Sequence, residues 1–155
     1  MPGPKAQWKT KTSWRAKLYK PMRPKLVPIS NGMAKRFGHG MMLIPTPLEV
    51  DAMIRKIPRG QVTTLPEIRA RLARWHRAEM TCPMVTGIFL RIVAEAAEED
   101  RRAGRAEITP YWRVVGLDGR LNPKFPGGKE EQAERLRDEG HRIEAGRVMI
   151  GKRAA

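Results

Sequence analysis

Two helix starts lie close together in this chain and limit what it can fold into. Thr46-Pro47-Leu48-Glu49 sets a capping threonine three residues before a glutamate, with proline at the first helical position. Thr64-Leu65-Pro66-Glu67 repeats the signal, and Pro58 and Gly60 end the first helix between them. Leu48, Met53, Ile54 and Ile57 mark the apolar face of the first helix. Leu65, Ile68 and Leu72 mark that of the second, which is predicted to run to about His76. Arg69, Arg71, Arg74 and Arg77 crowd the other side as a basic stripe.

A short link, Ala78 to Thr81, leads to a third predicted helix from Pro83 to about Arg102. Met84, Ile88, Ile92 and Val93 are expected to face inward. Gly87 costs about 1 kcal/mol relative to alanine inside a helix, so it suggests a place where another backbone comes close. Arg91 follows one turn later on the same side. The helix ends in Glu95, Glu98, Glu99 and Asp100, acids that oppose the macrodipole and are expected to point away from any polyanion. Helices joined in this way, the last bearing Gly and Arg, look like a helix-turn-helix. The expected fold is mainly α with small β, a winged helix-turn-helix over residues 45–150.

Pro110-Tyr111-Trp112-Arg113-Val114-Val115 places two rings side by side before a β-type run. An Asp118-Gly119 turn and Leu121 follow, which reads as a hairpin and a wing. On a strand, neighbouring rings point to opposite faces, so one is expected in the core and the other toward a cavity or solvent. Gly127-Gly128 opens a polar helix from Lys129 to Asp138, and Arg142 to Ile150 is predicted to form a last hairpin around Gly146.

Charge narrows the partner. Lys and Arg number 31 against 16 Asp and Glu, a formal charge of +15. Such a balance favours nucleic acid, although a basic tail alone can dominate such a count. Residues 1–44 hold ten Lys or Arg and no acid, with Trp8, Trp14, Tyr19 and Phe37 interleaved and prolines throughout. This segment is expected to be an extended, flexible arm that lays cations on phosphates and rings on bases. The alternatives are a solubilising tail or a strap with its aromatics on the domain. Cys82 is the one cysteine, so neither a disulfide nor a thiolate zinc site is expected, and the three histidines have no ligand spacing. No metal or cofactor is expected. No apolar run is long enough to span a bilayer, and the N-terminus lacks a signal-type apolar region. A cytoplasmic, nucleoid-associated monomer is the expectation.

Over residues 46–145 the order of signals resembles the DNA-binding domain of the O6-alkylguanine-DNA alkyltransferases, and more closely their non-enzymatic alkyltransferase-like relatives. Ile57-Pro58-Arg59-Gly60-Gln61-Val62-Thr63-Thr64 looks like the family's I-P-x-G-x-V-x-S/T opening. Pro110-Tyr111-Trp112-Arg113-Val114-Val115 is similar to its P-C-H-R-V-V signature. Phe125-Pro126-Gly127-Gly128 resembles its aromatic-x-Gly-Gly loop, and Glu139-Gly140-His141 its closing E-G-H.

The departures carry chemistry. The family's acceptor cysteine is Tyr111 here, and its proton-relay histidine is Trp112. A phenol lacks the polarisability and near-neutral pKa of a thiol, and an indole is no base. Glu139, which would orient the histidine, is left with nothing to orient. Cys82 reads as a small near-core residue. Alkyl transfer is therefore not expected.

The resemblance implies that the third helix enters the minor groove, with Arg91 as the residue that replaces an extruded base and Gly87 as the close-approach position. A solvated cation is the plain alternative for Arg91. A family tyrosine that presses on the target phosphate is Leu65 here. Thr63, Thr64 and Arg69 remain candidates for phosphate, partly through a helix N-terminus. Tyr111, Phe125, Gly127 and Gly128 are the candidates for lining a lesion pocket, with Phe125 equally readable as core. The third helix outruns the family's usual link, either as a partner surface or, more simply, as a solvated extension. The expected partner is double-stranded DNA, including DNA with O6-alkylguanine, together with other DNA-repair proteins. The first function expected is recognition of alkylated DNA without repair. The alternative is a general or architectural DNA-binding protein with no lesion pocket.

Overall fold

A computed structural model describes residues 12–150. The fold is mainly α with small β, a winged-helix-like DNA-binding domain. Three helices form its centre: α3 (Pro47–Arg55), α4 (Leu65–Trp75) and α5 (Pro83–Arg102). Val50 and Ile54 of α3, Ile68 and Leu72 of α4, and Leu90, Val93 and Ala97 of α5 are buried together. Each large aliphatic side chain buried in this way contributes about 1.5–3 kcal/mol.

Both helix starts are where the sequence puts them. Thr46 and Glu49 exchange both bonds of a capping box. At α4 the box is half formed: Thr64 accepts from the Glu67 amide at 3.2 Å, but the Glu67 carboxylate turns to Arg71 (3.1 Å) and Arg74 (3.3 Å). Two guanidinium groups outcompete one backbone N–H for that carboxylate.

The basic segment departs from expectation. Residues 1–11, with Trp8 and three of the lysines, lie outside the described residues. Residues 13–44, read above as a flexible arm, are folded onto the domain, as in the strap alternative. α1 (Trp14–Leu18) is capped by Ser13, and its Leu18 is buried in the core. The Glu99 carboxylate accepts from the amides of Trp14 (3.2 Å) and Arg15 (2.8 Å), and Arg15 pairs with Asp100 at 2.6 Å. A carboxylate at a helix N-terminus satisfies orphan donors and the dipole together. The acidic end of α5 is thus the seat of α1 rather than a solvated extension. β1 (Lys25–Pro28) pairs antiparallel with β2 (Met41–Ile44), which pairs in parallel with β4 (Met80–Thr81). α2 (Asn31–Phe37) connects the first two strands. The predicted link after α4 therefore holds a strand, which follows a left-handed turn at Arg77 (φ 55°).

The wing also differs. β5 (Val114–Val115) makes no hairpin and pairs in parallel with β3 (Thr63–Thr64). The chain then turns through Asp118 and Gly119, both at positive φ. A Cβ on Gly119 would lie 2.4 Å from the Val148 carbonyl oxygen, so the turn rests directly on the last hairpin. That hairpin is the one expected around Gly146, formed by β6 (Ile143–Glu144) and β7 (Arg147–Val148), with Arg120 bridged to Arg147. α6 (Gly128–Asp138) closes a second small core of Val115, Leu121, Ala133, Leu136 and Val148.

Candidate nucleic-acid interface and the altered acceptor motif

Tyr111 and Trp112 sit on one 3-10 turn, Tyr111–Arg113, not on a strand. The expectation that Tyr111 faces a cavity is overturned, because its ring is 1% exposed. Its edge-to-face partners are Trp112 at 5.4 Å and Phe125 at 5.1 Å between centroids. Its hydroxyl donates to Glu98 Oε1 at 2.7 Å. Glu98 also accepts from Arg101 (2.6 Å) and Arg135 (2.5 Å), and the Arg135 guanidinium lies 4.4 Å over the Trp112 ring. Burial alone would push the Glu98 carboxyl up, but the bonds from Arg101 and Tyr111 and the charge of Arg135 together hold it below its ordinary range. Burial, and then the Glu98 carboxylate, push the Tyr111 phenol well above its ordinary range. At neutral pH the group is a protonated hydrogen-bond donor, not an anion.

Phe125 is 3% exposed, so it is core and lines no open lesion pocket. Gly127 and Gly128 hold positive φ and start α6, and the Gly128 amide donates to the Phe125 carbonyl at 2.8 Å. A Cβ on Gly127 would meet the Glu131 side chain at 2.6 Å. The four residues expected to line a pocket therefore divide into two core rings and a tight helix start. The Tyr111 ring packs edge to face between those of Trp112 and Phe125.

Glu139 is likewise corrected. Its side chain is 3% exposed and accepts from Trp112 Nε1 at 2.9 Å and from Arg113 Nε at 2.9 Å. Burial pushes this carboxyl up, but Arg113, Trp112 and the Gly60 amide outweigh it, so its pKa is lowered. Trp112 thus gives Glu139 an N–H, although an indole nitrogen donates only and relays no proton. Arg113 continues to the Ile57 carbonyl at 2.7 Å, tying the motif to the end of α3. Gln132, itself buried, donates to the Trp112 and Val114 carbonyls and accepts from the Asn122 amide. Pro110 is buried at the head of the turn.

The DNA-binding candidates lie apart from this motif, around α4 and α5. Thr63 and Thr64 line a cleft of about 820 Å³ at the start of α4, with Gly60, Arg71 and His141. Arg69 is half-buried in a different cleft between α4, β4 and Phe37. Burial lowers its pKa, and among the described residues no carboxylate pairs with it. Gly87 has open space where a Cβ would be, so among the described residues no other backbone approaches it. Arg91 is exposed but not free, because its guanidinium lies 5.4 Å over the Trp14 ring, with Lys17 at 4.2 Å over the same ring. Leu65 borders that region too.

The sequence reading gave Arg135 no role, placed Glu98 in the acidic end of α5 although it is buried, and expected Met84 and Ile88 to face inward although they are 75% and 54% exposed. A signal for Glu98 exists: it lies four residues after Ala94 and so continues the buried stripe of Leu90, Val93 and Ala97. A carboxylate on an apolar face implies a buried partner.

Helices α4 and α5, the small wing and the surplus of cations define a DNA-binding protein of the helix-turn-helix class. The family description that matches is "6-O-methylguanine DNA methyltransferase, DNA binding domain", over residues 46–141, more than half of the chain. The chain belongs to that family and binds DNA through this domain. No curated protein and no solved structure gives a significant match.

Proposed function

We propose that this chain is a non-catalytic member of the family, which binds duplex DNA without transferring an alkyl group and without receiving a flipped base beside Tyr111. The observation that carries this reading is the buried phenol at the acceptor position, with its hydroxyl committed to Glu98 at 2.7 Å. Nucleophilic attack by that oxygen would require ionisation beside a carboxylate in a dry site, where burial disfavours the anion. Trp112 offers no lone pair to take the proton. Phe125 and Trp112 pack against the same ring, so a purine has no vacant stacking position there. Of the two functions expected from sequence, these contacts favour DNA binding with no lesion pocket.

The test is binding of the full chain to a duplex with one O6-methylguanine and to its unmodified twin, at equal salt. Equal affinities are expected. A preference of about ten-fold, equivalent to about 1.4 kcal/mol, restores lesion recognition. Intact mass after incubation with the alkylated duplex is expected to be unchanged. A permanent gain of one methyl group sinks the non-catalytic reading.

A further inference from the structure

Helices α3 and α4 leave an apolar groove between them at the surface. Leu48 and Ala52 of α3, and Lys56 at its C-cap, follow one another at every fourth residue and line one wall. Trp75, the last residue of α4, forms the other. Met53 and Leu72, both buried, lie at the bottom, so the floor is the core itself. Two large apolar side chains stand out of this groove: Leu48 is 40% exposed and Trp75 is 66% exposed. From Leu48 to Lys56 the wall runs about 12 Å, or about two helical turns. The cleft holds about 240 Å³. Small-molecule sites take about 300–1,000 Å³, so this one suits a few side chains better than a cofactor. His76 Nε2 donates to the Glu49 carboxylate and ties the end of α4 to the first turn of α3, which fixes the shape of the groove.

Charge says what covers it. Lys56 Nζ lies 4.9 Å over the Trp75 ring and has no carboxylate partner among the described residues. The acids of the two helices are committed elsewhere: Glu49 to His76, Asp51 to Arg55 and Thr109, Glu67 to Arg71 and Arg74. Residues 46–78 carry seven Lys or Arg against three acids. A second copy would bring a further +15 to this face. The chain ends have the wrong sign too, since residues 1–11 and 151–155 hold lysine or arginine and no acid.

We propose that the α3–α4 groove docks an acidic amphipathic helix of another protein. An apolar pair one turn apart would sit between Leu48 and Trp75, with carboxylates on its flank meeting Lys56. Trp75 is the anchor, because a large ring at the edge of an apolar groove carries more of the binding energy than its neighbours. The groove shares no lining residue with the clefts of Thr63, Arg69 and Arg91, so the chain can hold the partner and a duplex together. The proposal goes beyond the DNA-binding reading and does not rest on it.

The experiment uses the full chain and three labelled peptides of about 18 residues, long enough to form a helix. The first has leucines one turn apart flanked by glutamates, the second has serine for leucine, and the third has lysine for glutamate. By fluorescence anisotropy the first is expected to bind about ten-fold more tightly than either of the others. Trp75→Ala is expected to keep the Tm and the duplex affinity of the parent and to bind the first peptide about thirty-fold more weakly. Lys56→Glu is expected to weaken the first peptide and strengthen the third. The docking site is overturned if the first peptide does not bind, binds no better than the second or third, or binds Trp75→Ala as well as the parent. Loss of duplex affinity in Trp75→Ala gives the groove to DNA, and a parent dimer that Trp75→Ala dissociates gives it to a second copy. Either result overturns the proposal.

Discussion

The altered acceptor motif and the first half of α5 exchange the places that their compositions suggest. Tyr111 and Phe125 belong to stretches whose aromatics invite a site at the surface, yet both are buried. Met84 and Ile88 have the spacing of core residues, yet both are exposed. In the first region the Tyr111 hydroxyl is matched with Glu98, the Trp112 indole with Glu139, and Gln132 with two carbonyls. The apolar ridge of the second region has no partner within the described chain. The difference teaches that aromatic content and apolar spacing do not by themselves tell which side chains are buried, since the rings of the motif are scaffold and the apolar ridge of α5 is not.

The comparison breaks first if the buried motif can be disconnected without loss. Glu98→Ala leaves the Tyr111 hydroxyl and the Arg135 guanidinium without their carboxylate, and a loss of about 3–5 kcal/mol is expected by urea denaturation. A loss below about 1 kcal/mol shows that the network is not structural.

pH provides a second route. Glu98 and Glu139 have folded-state pKa values below the ordinary 4.5. Their contribution is full above about pH 5 and is lost as pH falls through the lowered folded values. Tyr111 runs the other way. Its folded pKa is raised, so its contribution is full below the ordinary 10.0 and lost as pH climbs beyond it, where the unfolded phenol ionises and the folded one does not. Tm measured from pH 3 to 11 is expected to fall at both ends.

Tyr111→Phe keeps the ring and removes the donor. A loss of about 1–2 kcal/mol is expected, together with a shallower alkaline fall in Tm. An unchanged alkaline limb assigns that limb to other groups. The smallest expected effect sharpens the contrast from the other side: Met84→Ala with Ile88→Ala should change stability by no more than about 0.5 kcal/mol, since neither side chain fills the core. A loss of several kcal/mol in that variant makes the ridge structural.

Much of the frame was legible. The ends of α3, α4, α5 and α6 follow from capping residues, proline and glycine, because those signals act within a few residues of the chain. The last hairpin was legible from Gly146 for the same reason. The wing after Val115 was not, since β5 takes β3 as its partner from about fifty residues away. The strap was legible only as one alternative among three, because its seat is the carboxylate of Glu99 and its neighbour Asp100 on α5. A basic, proline-rich composition reports the surface that a segment can bury by itself and is silent on what a distant acid offers it.

The site divides in the same way. The sequence alone determines that the acceptor position is a phenol and the relay position an indole, and the chemistry of those groups follows from their identity. It also determines the helix frame and the positive balance that suits DNA. Only the tertiary structure decided which rings are scaffold and which apolar residues are free. Helical periodicity fixes the residues that share a face, but the face that is covered depends on what packs against it. Here α3, α1 and the 3-10 turn cover the later part of α5, and no element of the described chain covers Met84 and Ile88.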